Sequence, residues 1–137
     1  MASWLLDTGP IVAVLRRTDM DHEPCRAVLE GSTADLVSTE AVLTEATHLV
    51  SGLPRGIAAC IEFFIRMRIG LISLTPLMLR RCGELTERYA DVPMDFADAT
   101  LVAVAEETGI ADICTLDRRG FSAYRFGRNR SFRIVPA

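Results

Sequence analysis

The strongest constraint on the fold is an alternation. Short apolar runs bounded by turn residues take turns with longer stretches that repeat their apolar residues at helical spacing. Residues 3–6, 36–38, 71–74, 112–116 and 132–135 read as strands. Between them, residues 11–15, 23–29, 40–50, 55–68, 76–89 and 94–108 read as helices. Gly9-Pro10 opens the first helix. Thr39 is placed to cap the helix at 40–50, which Gly52 and Pro54 end, and Gly109 stops the last one. Strands separated by helices predict an α/β protein with a central parallel sheet of about five strands. In such sheets functional sites lie beyond the carboxyl ends of the strands.

At 137 residues the chain fits a single domain spanning 1–137. Half of its residues are hydrophobic and its mean hydropathy is +0.25, which excludes a disordered chain. The start, Met1-Ala2-Ser3-Trp4-Leu5-Leu6-Asp7, has no basic region, and Asp7 interrupts the apolar run. The apolar stretch at 57–65 is broken by Glu62 and is far short of the roughly 20 residues a membrane span needs. The expectation is a soluble, cytoplasmic protein with no membrane partner.

Several chemistries drop out on residue counts. Cys25, Cys60, Cys82 and Cys114 are widely spaced, which excludes zinc-ribbon and thioredoxin patterns and suggests reduced, buried thiols. His22 and His48 are the only histidines, too few for a His-rich zinc site. There is no lysine, so phosphate-binding P-loops and Schiff-base enzymes are excluded. Charge is segregated. Residues 118–137 hold six arginines and no acid, leaving nine arginines against 18 acids elsewhere.

Within the acidic body, four carboxylates are aimed at one place. Asp7 follows the first strand and Asp117 the fourth, so both emerge at the same sheet edge. Glu45 lies beside the apolar stripe Val42, Ala46 and Leu49. Asp98 continues the inward face made by Leu101, Val102 and Ala105. Each acid also has a purely structural reading: Asp7 as a helix cap, Asp117 as a turn residue, Asp95 and Asp98 as an N-cap and N3 pair, Glu45 as an arginine partner. Together they would repel one another, which calls for raised pKa values or a cation. Their hard oxygen donors select Mg2+ or Mn2+ over zinc.

The ordered set of motifs carries a resemblance. Leu5-Leu6-Asp7-Thr8-Gly9-Pro10, Val42-Leu43-Thr44-Glu45-Ala46, Phe96-Ala97-Asp98-Ala99-Thr100-Leu101 and Thr115-Leu116-Asp117-Arg118-Arg119-Gly120-Phe121 resemble a PIN-domain ribonuclease of the VapC toxin type. The resemblance covers nearly the whole chain. It implies a three-layer α/β/α fold and a Mg2+- or Mn2+-dependent endoribonuclease, the toxin of a type II toxin–antitoxin pair. It assigns Asp7, Glu45, Asp98 and Asp117 as the catalytic, metal-holding quartet, with Thr8, Asp95 and Thr115 in support. It further implies an RNA substrate, a homodimer and a cognate antitoxin.

Positive charge is needed to hold RNA beside such a pocket. Arg118 and Arg119 adjoin Asp117. Arg125, Arg128 and Arg130 are interleaved with Phe121, Tyr124, Phe126 and Phe132, as phosphate contact and base stacking would want. For Phe121 and Phe132 core packing is the better reading. The alternative function is a catalytically silent PIN-like module that binds nucleic acid or protein. Asp7-Thr8-Gly9 also matches the aspartic protease signature, but that fold is all-β and the helical periodicity argues against it. A phospho-accepting receiver domain would need a lysine that this chain lacks.

Overall fold

The computed structural model describes residues 2–137. Its elements follow the predicted alternation: β1 (Ser3–Leu6), α1 (Thr8–Leu15), α2 (His22–Gly31), β2 (Asp35–Ser38), α3 (Glu40–Leu49), α4 (Gly56–Arg66), β3 (Gly70–Leu71), α5 (Pro76–Arg88), α6 (Phe96–Thr108), β4 (Asp112–Cys114), α7 (Arg118–Ala123), β5 (Arg125–Phe126), β6 (Arg130–Ser131) and β7 (Arg133–Val135). Five strands form one parallel sheet in the order β3-β2-β1-β4-β7, flanked by helices. The other two, β5 and β6, pair as a small antiparallel hairpin. Among the described residues no helix is long and apolar enough to cross a membrane.

Strand order places the site. From β1 the chain builds outward through β2 to β3, then returns to build through β4 to β7 on the other side. The reversal leaves a crevice between the carboxyl ends of β1 and β4, the switch point where open α/β sheets bind ligands. Leu5 and Leu6 register with Ile113 and Cys114, and the Asp7 N–H donates to the Cys114 carbonyl at 3.0 Å. Asp7 and the segment after β4 therefore leave the sheet side by side.

The helices meet this edge with their N-termini. Leu5, Leu6, Val42, Ala46, Leu101, Val102 and Ile113 are fully buried in the core between helices and sheet. The four cysteines are free and buried, as the spacing predicts, and burial pushes the Cys114 thiol up to about 12. Thr39 caps α3 by accepting from the Val42 N–H at 3.4 Å, and its hydroxyl pairs with that of Thr100 on α6 at 2.9 Å. That buried contact fixes α3 against α6.

Several boundaries differ from the sequence expectation. The first helix starts three residues earlier than expected, at Thr8, because Asp7 rather than Gly9-Pro10 begins it. Strand β4 stops at Cys114, and Thr115 just beyond it turns its hydroxyl toward Asp7. The strand expected at 71–74 is only Gly70–Leu71. The buried stripe of α3 runs through Val42 and Ala46 to Val50, whereas Leu49 is 48% exposed. Helix α7 and the hairpin were not expected at all.

Thr39→Ala removes a cap and a buried hydroxyl pair together, so it is expected to lower stability by about 1–2 kcal/mol. Chemical denaturation with an unchanged m-value checks this.

Candidate active site

Asp7 is 6% exposed and accepts two hydrogen bonds, from the Thr8 N–H at 2.8 Å and from the Thr115 hydroxyl at 2.6 Å. Thr115 also accepts from the Asp117 N–H at 3.0 Å, so one hydroxyl ties the two aspartates together. Asp117 is the N-cap of α7, where its carboxylate accepts from the Gly120 N–H at 3.0 Å. Asp95 and Asp98 form a reciprocal capping box at the start of α6. The structural readings of Asp7, Asp95 and Asp98 as capping residues thus hold, and Asp117 caps a helix rather than occupying a simple turn.

Capping does not prevent convergence. A pocket of about 350 Å³ at the switch point is lined by Asp7, Thr8, Glu45, Asp95, Asp98 and Asp117. Asp19, from the loop between α1 and α2, lines it as well. Sequence reasoning missed Asp19 because it sits on a connection whose path no periodicity reveals. Among the described residues no arginine lines this pocket.

Burial and crowding of the acids show in protonation. Burial pushes the Asp7 carboxyl up to about 6, and Glu45 and Asp117 add repulsion, while the bonds from Thr115 and Thr8 pull the other way. Burial, then repulsion from Asp7 and Asp95, pushes Asp98 up to about 8. Tyr124, packed beneath the acids, is raised by burial and then by the same carboxylates.

The donor set fits a hard divalent cation. All of it is carboxylate or hydroxyl oxygen, and the repulsion is what such an ion would relieve. The Thr8 hydroxyl, buried on the pocket wall, has no hydrogen-bond partner among the described residues. The acids share the pocket without closing into a preassembled cage: among the described residues no three groups gather as ready ligands. Asp7, Asp95, Asp98 and Asp117 each accept instead from a backbone or hydroxyl donor.

Residues 4–127 match the PIN domain family. The chain belongs to it. The ribonuclease VapC26 of Mycobacterium tuberculosis is 26% identical over 135 residues, covering 96% of this chain and 99% of that protein. Among solved structures, Mycobacterium tuberculosis VapC20, described as a sarcin–ricin loop cleaving toxin, aligns with a TM-score of 0.74 at 20% identity. That alignment covers 81% of this chain and 87% of the other. The α/β sheet flanked by helices is therefore the PIN fold.

The five candidate RNA-binding arginines part company in this fold. Arg118 and Arg119 stay exposed on the first turn of α7, beside Asp117, and the Arg118 guanidinium donates to the Pro136 carbonyl. Arg125 is turned onto its own backbone, donating to the carbonyls of Ser122, Ala123 and Tyr124. Arg128 and Arg130 lie on the hairpin segment, where Gly127 donates to Glu106 and Arg130 covers the Phe126 ring at 4.8 Å. Glu106 is eight residues beyond Asp98 on α6, about 12 Å along the helix axis. Base stacking by the interleaved aromatics does not survive. Phe121, Tyr124, Phe126 and Phe132 are all buried and pack on one another, with centroids 4.8–5.4 Å apart.

Two outcomes follow from this geometry. Folded Asp7 takes up its proton at about 6 and the unfolded residue near 3.8, so the folded chain binds more protons between those values. This contribution to metal-free stability is complete below about 4 and is lost as pH rises through 6. Asp7→Asn keeps the shape without the charge and is expected to unfold later than wild type at pH 8 in EDTA, by on the order of 2 kcal/mol, with the gap closing by pH 4. Thermal unfolding across pH checks it. A Cβ at Gly120 would overlap Asp117 Oδ2 and approach the Tyr124 hydroxyl. Gly120→Ala is expected to displace the Asp117 carboxylate and cut RNA turnover by about ten- to a hundredfold with the fold retained. Circular dichroism beside a cleavage assay reads both.

Proposed function

We propose that this chain is a Mg2+- or Mn2+-dependent endoribonuclease and the toxin of a type II toxin–antitoxin pair, acting in the cytoplasm. The observation that carries the reading is the shared pocket of Asp7, Glu45, Asp98 and Asp117 in a PIN domain. Support comes from its likeness to a ribonuclease along nearly the full length of both chains.

Asp7, Asp98 and Asp117 would hold the cation, with Glu45 facing them across the pocket. Bound there, a divalent ion supplies acidification of a water and screening of charge developing on the phosphate. The chain's own groups do the positioning. Thr115 locks the Asp7 carboxylate by donating to Oδ2, and the Thr8 N–H fixes Oδ1. The Gly120 N–H holds Asp117. Arg118 and Arg119 would draw the RNA backbone toward the acids, and Arg128 and Arg130 would meet more distant phosphates. Arg125 contributes chiefly by fastening the end of α7.

Wild-type protein is expected to cleave a mixed RNA pool with Mg2+ or Mn2+ and to stop in EDTA. Asp7→Asn and Asp98→Asn should each lose about a hundredfold or more of turnover. Metal-independent cleavage, or none by folded protein, would overturn the reading and favour a silent binding module.

A homodimer belongs to the same proposal. Ile57, Ile61 and Ile65 recur every four residues along α4 and are 50%, 45% and 62% exposed, a stripe suited to a second subunit. Ile61→Arg is expected to leave a folded monomer where wild type sediments as a dimer.

A further inference from the structure

The RNA stacking surface that the basic tail cannot supply has a counterpart elsewhere. Phe96 is the one aromatic side chain in the exposed class among the described residues, at 50%. It is the first residue of α6, set between the capping Asp95 and Asp98. A groove of about 500 Å³ runs past it, walled by Ala41, Thr44, Glu45, His48 and Asp95. Glu45 and Asp95 also line the acidic pocket, so groove and pocket are continuous. Beyond Phe96 a second hollow of about 360 Å³ carries on toward Ile72 and Leu74.

We infer that Phe96 is a stacking platform for an unpaired base next to the phosphate held at the acidic pocket. The inference rests on the ribonuclease reading and adds a positioning residue and the subsite it forms. Charge favours a base as the occupant. The groove is bordered by two carboxylates, which repel a phosphate but not a neutral nucleobase. An apolar wall with a π face at one side is what an unstacked base needs. His48, exposed on the same wall, is placed to hydrogen-bond a base edge. The backbone phosphates remain for the arginines outside the pocket. The size of the groove lies in the range that takes small-molecule ligands.

Half exposed at a helix start, Phe96 tolerates substitution without loss of the core. The experiment uses the full wild-type chain with Ca2+ in place of Mg2+ or Mn2+, so that RNA is held at an intact pocket while cutting is suppressed. The probe is a short unstructured oligoribonucleotide with one 2-aminopurine, placed in turn at each position. Quenching of the fluorophore at one position is expected with Phe96. Phe96→Tyr and Phe96→Trp should keep the quenching. Phe96→Leu and Phe96→Ala should abolish it and weaken binding about tenfold. With Mg2+ or Mn2+ restored, the same two losses should raise KM. Equal binding and quenching with Phe96→Ala and Phe96→Leu would overturn the inference and leave the groove to a protein partner. Failure of the ribonuclease reading looks different: wild type would cut no RNA, whatever stands at position 96.

Discussion

The bond between Thr115 and Asp7 is the contact on which the rest of the site depends. It joins the end of the central strand to the end of its neighbour at the place where strand order reverses. Through the same hydroxyl it orders Asp117, and Asp117 in turn starts α7. A buried carboxylate without compensation is costly, and the protein meets part of that cost with hydrogen bonds rather than with cations. Thr8, Thr115, Gly120 and the Asp95 backbone each supply a donor. Helix N-termini add partial positive charge at the same edge. Burial, with repulsion among the carboxylates behind it, still leaves the protonation of Asp7 and Asp98 raised.

That design explains why capping a helix does not keep these carboxylates out of the shared pocket. An aspartate at a helix start uses one oxygen for the backbone and keeps another direction open. Asp117 gives Oδ1 to Gly120, and Asp98 gives Oδ2 to Asp95. The capping box and the shared pocket are then two uses of one carboxylate. Parallel topology makes the arrangement economical, because each crossover returns a helix N-terminus to the edge where the strands end.

The sequence made the sheet and the quartet legible for specific reasons. Apolar runs of three to five residues punctuated by Gly and Pro mark strands, and helical periodicity marked α3 and α6 well enough to aim Glu45 and Asp98 inward. Asp7 and Asp117 were placed by the strand-end rule alone. Other features escaped. Helix α7 is six residues long and carries two arginines, so no apolar period reveals it. The tail aromatics read as interleaved with arginines along the chain, but a tight hairpin folds them inward into one cluster. Phe96 drew no notice because an aromatic at a helix start looks like core, and only the structure shows its face open to the groove.

The separation of acidic pocket and basic exterior follows from the same layout. Arg118 and Arg119 stay exposed on α7, and no arginine lines the pocket wall among the described residues. On the proposed reading, a cation from solution would supply the partner these carboxylates lack. Calorimetric titration of Mn2+ into the metal-free chain at neutral pH tests this most directly, with Asp7→Asn and Asp117→Asn alongside. Saturable binding by wild type, with an observed heat that changes with buffer ionisation enthalpy because protons are released, and its loss in both variants is the predicted result. Binding untouched by either substitution, or no binding by the folded wild-type chain, would contradict the assignment of these acids as a metal site.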